Sequence, residues 1–100
     1  MLTKDINLKE DRIMAYNLYI GANNKTGKVE WGTIERILNK RHKGYTLAPV
    51  IGYWQGKQEK SCMAIIEAEA PLVMQSLHEL QRELKQDSIG YQQVNEVQFS

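Results

Sequence analysis

The chain has 100 residues, of which 42% are hydrophobic and 25% charged, and its formal net charge is +1. This length suits one domain with its own core, and the near-average composition excludes disorder of the whole chain. A net charge close to zero disfavours nucleic acid as the partner, because proteins that bind it usually carry a basic surface. The single cysteine, Cys62, excludes an internal disulfide framework and is typical of a reducing compartment.

Residues 1–12 are predicted to form an N-terminal arm that precedes one domain over 13–100. The arm carries three basic and three acidic side chains and lacks the apolar core of a signal peptide. No apolar run reaches the roughly 18 residues that a membrane span needs. We therefore expect a cytoplasmic protein without membrane contact.

The first half of the domain is predicted to contain a strand and a helix. Alternating apolar residues indicate a strand over 13–21, and the glycine- and asparagine-rich segment 21–27 indicates a turn. A helix is predicted over 28–42, with Gly44 just beyond its end. Its apolar stripe recurs at helical spacing and consists of Trp31, Ile34, Ile37, Leu38 and Arg41.

The second half is predicted to contain a hairpin, a helix and a last strand. The hairpin joins strands over 45–54 and 60–69 through a turn at 55–59. A helix then begins at Pro71, and its stripe consists of Val73, Leu77, Leu80 and Leu84. A polar strand is predicted over 91–99.

The order of these elements predicts an α+β ferredoxin-like βαββαβ sandwich, in which a four-stranded antiparallel sheet carries both helices on one face. Right-handed crossovers put the first and third strands in the centre. Pro49 in the second strand independently favours an edge position, because proline cannot donate to a sheet ladder. The polarity of the last strand suits the other edge.

The sheet face away from the helices is predicted to be apolar, because the third strand has apolar residues on both sides between Cys62 and Ile66. Burying several hundred Å² of such a face would contribute roughly 25 cal/mol per Å² before the costs of association. We therefore expect the chain to form a dimer or trimer through this face. The alternative is that the N-terminal arm folds across it.

A candidate ligand site lies where the first loop, the hairpin and the turn before the last strand meet at one end of the sheet. The residues expected to bind a small anionic ligand are Asn24, Lys25, Lys28, Trp54, Gln55, Lys57 and Tyr91. Trp54 would stack on a base, the lysines would neutralise charge, and the amides would orient the ligand. The alternative is an ordinary polar loop end, since no phosphate-loop or dinucleotide fingerprint is present.

Other reactive side chains favour structural roles. Residues 41–43 could contact phosphate or nucleic acid, but a solvated helix end is the simpler interpretation. His42, Cys62 and His78 lack metal-ligand spacing, so no metal site or cofactor is predicted. Cys62 is expected to be a buried structural thiol and His78 a surface residue. The third strand lacks the aromatic residues of an RNA-recognition domain.

Several short motifs between Leu18 and Phe99 resemble a small, uncharacterised bacterial family of ferredoxin-like proteins. They are Tyr19-Ile20-Gly21, Glu30-Trp31, Gly52-Tyr53-Trp54, Glu59-Lys60-Ser61 and Gln92-Gln93-Val94. The hairpin segment Tyr53-Trp54-Gln55-Gly56-Lys57 is also similar to that of CutA-type trimeric proteins, which share their shape with the PII proteins. That resemblance implies sheets packed at a trimer interface and small ligands bound in clefts between subunits. The characteristic Cys and His residues of CutA are not matched, so no metal binding is carried over.

Three functions from different classes remain open. The leading hypothesis is a non-enzymatic homo-oligomer that senses or sequesters a small anionic ligand, for which a nucleotide is one candidate. The second is a bacterial or viral interaction module, an inhibitor or adaptor, that uses the apolar sheet face. The third is a small α/β-barrel-type enzyme, for which Asn17 and Tyr19 are the only polar candidates on the first strand.

Overall fold

The protein is an open four-stranded antiparallel sheet with two helices, seen in a computed structural model that describes residues 12–94. The elements in chain order are β1 Ile13–Gly21, α1 Trp31–Leu38, β2 Tyr45–Trp54, β3 Lys57–Glu69, α2 Ala70–Leu84 and β4 Gly90–Val94. The strand order is β2-β3-β1-β4. The ferredoxin-like fold and the central positions of the first and third strands are therefore confirmed. The predicted arm up to residue 11 and the end of the last strand lie outside the described residues.

One face of the sheet and the two helices share a single hydrophobic core. Side chains alternate along a strand, so β1 turns Tyr16, Leu18 and Ile20 towards the helices. The helices pack against this face with the apolar stripes that the spacing of their residues predicted. The fully buried side chains of these stripes are Ile34, Ile37, Leu38, Val73 and Leu80. This packing holds the two loops after β1 and α2 at the same end of the sheet.

Cys62 lies in this core and is fully buried, as expected for a structural thiol. Burial raises the pKa of the thiol to about 11, because the charged thiolate is disfavoured away from water. The group is therefore protonated at neutral pH and unsuited to act as a nucleophile.

The hairpin between β2 and β3 has a shorter turn and longer paired strands than its sequence indicated. The predicted turn over 55–59 is wrong in extent, since β3 begins at Lys57 and only two residues turn. Those residues, Gln55 and Gly56, have positive φ angles of 50° and 77°. Two consecutive left-handed residues produce the twist that joins antiparallel strands directly, so pairing continues to Trp54 and Lys57.

The end of this hairpin extends beyond the rest of the sheet. The last pair between β1 and β3 is Gly21 with Ser61, whereas β2 and β3 stay paired for four residues more. At about 3.3 Å per residue, the extension is roughly 13 Å long. We call residues 51–60 the hairpin arm. Its large side chains Ile51, Tyr53 and Trp54 are 59%, 72% and 66% exposed.

The sheet face away from the helices, here the open face, is apolar at its centre. Ile65 lies there between Asn17 of β1 and Thr46 of β2, and Met63 lies beside Ala48. The described chain leaves the Ile65 and Met63 side chains partly accessible. The apolar character expected from the third strand is thus present on the face that the helices do not cover.

Candidate functional site

A polar groove of about 540 Å³ lies beyond the end of β1, along residues 58–60 of the hairpin arm. Its walls are residues 21–24 with Gly27 from the loop after β1, residues 58–60 from β3, and residues 86–88 from the loop after α2. β1 stops at Gly21, which pairs with Ser61 of β3. Residues 58–60 of β3 lie beyond this last pair, so on the β1 side they face the groove instead of a neighbouring strand. We call this space the ligand groove.

The loop after β1 is held in shape by Asn23. Its side-chain oxygen accepts hydrogen bonds from the backbone N–H groups of Lys25, at 2.8 Å, and Thr26, at 3.1 Å. Its backbone carbonyl accepts a third from Gly27, at 2.7 Å. Gly27 has a φ of 71°, which glycine adopts at little cost. Asn23 therefore builds the loop, and the exposed Asn24 next to it stands at the edge of the groove.

The loop after α2 is tied directly to β1. The side-chain amide of Gln86 donates to the backbone oxygen of Gly21 at 2.8 Å. Lys85 ends α2 in the left-handed conformation, with a φ of 54°, which turns the chain towards the groove. This hydrogen bond joins two walls of the ligand groove and limits how far they can separate.

A second cavity of about 350 Å³ adjoins the first, and we call it the side compartment. The two share residues 22–24 and Gln86 as a common wall. The other walls of the side compartment include two lysines and two glutamates, which are Lys25, Lys85, Glu30 and Glu83. The Asn23 side-chain amide donates to the Glu30 carboxylate at 3.5 Å, which fixes one of these charges.

The charges of the ligand groove are mainly acidic. Glu59 and Asp87 supply two carboxylates, whereas Lys60 supplies one ammonium group. The remaining polar lining consists of amide and hydroxyl groups from Asn23, Asn24, Gln58, Gln86 and Ser88. Such a lining offers many donors and acceptors to sugar hydroxyls and base edges, but little positive charge to a polyphosphate.

The structure brings together only part of the site that the sequence predicted. Asn24 lines both cavities and Lys25 lines the side compartment. The other five predicted residues line neither cavity, and they are Lys28, Trp54, Gln55, Lys57 and Tyr91. Trp54, Gln55 and Lys57 lie at the far end of the hairpin arm, and Tyr91 lies beside Leu18, three residues before the end of β1. Their roles in binding stay predictions.

Sequence reasoning missed the groove residues on β3 and after α2. Gln58, Glu59 and Lys60 were assigned to a turn or the start of a strand, because the two-residue turn at Gln55 was not recognised. Gly56 between two strand-forming segments was the available signal, because the second central residue of a two-residue turn favours glycine. Gln86 and Asp87 resembled an ordinary helix end.

The segment after α1 differs from the solvated helix end that we expected. The helix stops at Leu38 rather than at residue 42, and the backbone N–H of His42 donates back to the Leu38 oxygen at 3.0 Å. The chain then turns inward, so that His42 is only 7% exposed. Its Nε2 lies 2.8 Å from the Ser76 hydroxyl on α2.

Charged side chains complete this contact between the helices, which we call the helix joint. The Glu79 carboxylate accepts hydrogen bonds from Lys40 and from Arg41. Hydrogen bonds from these two cations lower the pKa of Glu79 to about 2. Burial, and next the charge of Arg41, lower the pKa of His42. The joint thus connects the two helices, and two buried nitrogens in it, Arg41 Nη1 and His42 Nδ1, have no hydrogen-bond partner among residues 12–94.

An α/β-barrel-type enzyme would carry out its chemistry in a pocket between the sheet and the helices. That space is filled by the apolar core. Asn17 and Tyr19 instead lie on the open face, where the Tyr19 hydroxyl donates to the Gln92 side chain at 3.4 Å. Residues 12–94 contain no group of three metal-ligating side chains. In the same part of the chain, no helix is long and apolar enough to cross a bilayer.

No protein-family model matches this chain, and no curated protein is significantly similar to it in sequence. Solved structures with the same fold include a DUF3240 family protein from Shewanella baltica OS155, with a TM-score of 0.62 and 17% identity over 86% of this chain and 92% of that one. A phage SAM lyase in complex with S-methyl-5′-thioadenosine has a TM-score of 0.52 and 16% identity over 81% of each chain. The divalent ion tolerance protein CutA1 from Ehrlichia chaffeensis has a TM-score of 0.53 and 12% identity, covering 89% of this chain and 87% of that one. These likenesses support the CutA-like shape, and at such identities they describe the fold alone.

Proposed function

We propose that the chain is a self-associating protein that binds a small adenosine-type nucleoside in the ligand groove. The observation that carries this proposal is the groove itself, whose volume falls within the roughly 300–1,000 Å³ of small-molecule sites. Three separate segments supply its polar lining, and the Gln86–Gly21 hydrogen bond holds two of them together. The phage lyase of the same fold gives the ligand class, since it holds S-methyl-5′-thioadenosine.

The charges of the groove favour a nucleoside over a nucleotide. Two carboxylates, Glu59 and Asp87, would repel a polyphosphate, whereas they accept hydrogen bonds from ribose hydroxyls or pair with a cationic substituent. The amides of Asn24 and Gln58 can donate to and accept from the base edge. We therefore propose a nucleoside without phosphate groups in place of the anionic nucleotide that the sequence suggested.

Self-association is the second part of the proposal. The centre of the open face, around Met63 and Ile65, is apolar and uncovered by the helices. Burying it against a second copy would remove apolar surface from water, the term that dominates association. Ile65→Lys is expected to convert the oligomer to a monomer in analytical ultracentrifugation, with circular dichroism showing retained helices. A monomeric wild-type chain at high concentration would contradict this part.

The hairpin arm gives the association a role in binding. Neither Tyr53 nor Trp54 lines the groove of its own chain, although both rings are exposed on a paired, twisted hairpin. In the assembly, we propose that the arm of one copy covers the groove of the next. Trp54 would then stack on the base, with Gln55 and Lys57 beside it.

Calorimetric titration with S-methyl-5′-thioadenosine tests the binding proposal. Saturable binding is expected, and Glu59→Gln or Asn24→Ala should weaken it by about tenfold, the cost of one or two lost hydrogen bonds. Glu35→Gln on α1 is the matched control, since Glu35 lies outside both cavities. ATP binding more tightly than the nucleoside would show that an anionic ligand is preferred. No binding of either compound would contradict the proposal.

A second candidate function is suggested by the activity of the same phage protein. The neighbour is a SAM lyase that holds S-methyl-5′-thioadenosine. In such a cleavage the bond between the sulfonium sulfur and Cγ of the aminobutyrate chain would break with its electron pair on sulfur, which releases S-methyl-5′-thioadenosine. The substrate's own carboxylate would form the new bond to Cγ, which closes a lactone. Incubation of the wild-type chain with SAM and chromatography of the products distinguishes the two functions. A binding protein leaves SAM intact, whereas an enzyme accumulates the nucleoside, and Glu59→Gln is expected to slow that accumulation.

A further inference from the structure

The side compartment adjoins the ligand groove, so a ligand that extends beyond the groove would reach it. They share the wall formed by residues 22–24 and Gln86. A nucleoside in the larger space would direct a substituent across this wall into the smaller one. The chemistry of the side compartment therefore indicates which substituent the ligand carries.

The side compartment contains positive and negative groups in equal number. Lys25 and Lys85 supply two ammonium groups, and Glu30 and Glu83 supply two carboxylates. Within residues 12–94, neither lysine forms an ion pair, and Glu30 pairs with no cation. Glu83 contacts Arg36 at 3.5 Å on the outside of the helices, where both side chains remain well exposed. These groups can exchange water for a ligand without breaking a buried contact.

Two of these charged residues are positioned by neighbouring groups at the end of β1 and of α2. Glu30 is half-buried and receives a hydrogen bond from the Asn23 side chain, the residue that shapes the loop after β1. Lys85 occupies the left-handed end of α2, and the next residue is bonded to Gly21. Each side of the compartment therefore carries one lysine and one glutamate, with Lys25 and Glu30 before α1 and with Glu83 and Lys85 at the end of α2.

We infer that the side compartment receives the α-amino-acid end of an S-adenosyl amino acid whose nucleoside occupies the ligand groove. An α-amino acid presents an ammonium and a carboxylate group on one carbon, and it needs one anionic and one cationic partner. Glu30 and Glu83 would accept from the ammonium group, and Lys25 and Lys85 would donate to the carboxylate. A phosphate tail would be attracted only by the two lysines and would be repelled by both glutamates. This inference rests on the proposed function and names the substituent that the same site selects.

Two ligands that differ mainly in the amino-acid end test the inference. S-adenosylhomocysteine and S-methyl-5′-thioadenosine share the nucleoside and an uncharged thioether sulfur, but only the first carries the amino-acid group. Titration calorimetry of the wild-type chain is expected to give at least about tenfold tighter binding of S-adenosylhomocysteine, since charge-assisted hydrogen bonds are the stronger class. Lys85→Gln and Glu83→Gln should each reduce this preference and leave the affinity for S-methyl-5′-thioadenosine unchanged.

Matched variants outside the cavities control for charge and folding. Lys43→Gln and Glu35→Gln make the same chemical changes at exposed positions and should preserve the preference. Equal affinity for the two ligands would overturn the inference while leaving the proposed function standing. A preference that survives both Lys85→Gln and Glu83→Gln would also overturn it. Failure of both ligands to bind would contradict the proposed function and the inference together.

Discussion

Arg41 and Glu79 are joined by a hydrogen bond of 2.8 Å between Nη2 and Oε1, although 38 residues separate them in the chain. The pair connects the segment after α1 to the middle of α2, and Lys40 contacts the same carboxylate. Glu79 is nearly inaccessible in its side chain, whereas the Arg41 side chain is 23% exposed. This contact fixes the two helices relative to each other.

Removing the carboxylate should therefore destabilise the protein. Glu79→Gln leaves two cations near a neutral amide, and the Tm is expected to fall by several degrees. Glu83→Gln, one turn along the same helix in an exposed ion pair, is the control and should change the Tm little. An unchanged Tm for Glu79→Gln in differential scanning calorimetry would contradict the role of the helix joint.

Stability should also depend on pH through His42. Burial and the charge of Arg41 lower its folded pKa below the ordinary 6.5. Below pH 6.5 the unfolded chain therefore binds a proton at His42 that the folded chain resists, so stability falls as pH falls. Urea unfolding at pH 7.5 and pH 5.5 should show this loss for the wild type and a smaller loss for His42→Gln. His78→Gln, at an exposed position, is the control for the loss of an imidazole side chain.

At lower pH, stability should depend on Glu79, because its folded pKa of about 2 lies below the ordinary value of 4.5. Its contribution is complete above pH 4.5 and disappears as the pH falls towards 2. Glu79→Gln should therefore flatten the acid limb of the stability profile. A wild-type profile that is level from pH 7.5 to pH 3 would contradict both assignments.

The fold could be inferred from local patterns because each pattern had one structural explanation. Pro49 required an edge strand, the stripe from Val73 to Leu84 required a buried helix face, and the order of elements left few topologies. The helix joint could not be inferred in this way. Arg41 continues the helical spacing of Ile34 and Ile37, and only tertiary contacts with α2 make the chain turn inward there.

The conformation of the hairpin turn can be tested by substituting its glycine. Gly56 has a φ of 77° with open space around its Cα, so Gly56→Ala introduces backbone strain without a steric clash. Thermal unfolding should show a loss of about 1 kcal/mol. Gly52→Ala in the same arm, at ordinary φ and also in open space, is the control and should cost less. Equal losses would mean that the turn conformation is not the cause.

Two of the seven predicted site residues line the cavities, because the walls come from two loops and strand β3, whose meeting point depends on strand length. Asn24 and Lys25 were expected at the end of the first strand and line the cavities there. Trp54 was expected beside them but lies at the end of an arm roughly 13 Å long. A strand register cannot be counted from the sequence when the turn length is misjudged.

Mixing two defective variants should test whether Trp54 acts on a neighbouring copy. Trp54→Ala retains an intact groove, and Asn24→Ala, in the loop after β1, retains an intact arm, so each homo-oligomer is expected to bind S-methyl-5′-thioadenosine weakly. After subunit exchange in an equimolar mixture, about a quarter of grooves should be intact and meet an intact arm. Calorimetry should then recover tight binding at that fraction of sites. If the tight sites do not reappear although mixed oligomers are present by native mass spectrometry, the arm does not act across subunits.

The central claim, that the groove at the end of β1 binds a nucleoside, is tested most directly by amide NMR during titration with S-methyl-5′-thioadenosine. The account predicts saturable shifts concentrated in residues 21–24, 58–60 and 86–88, with further shifts at Trp54 where an arm covers the groove. The amides of the helix joint near Arg41 should stay unchanged. Shifts confined to the helix joint, or a spectrum that does not respond at millimolar nucleoside, would contradict it.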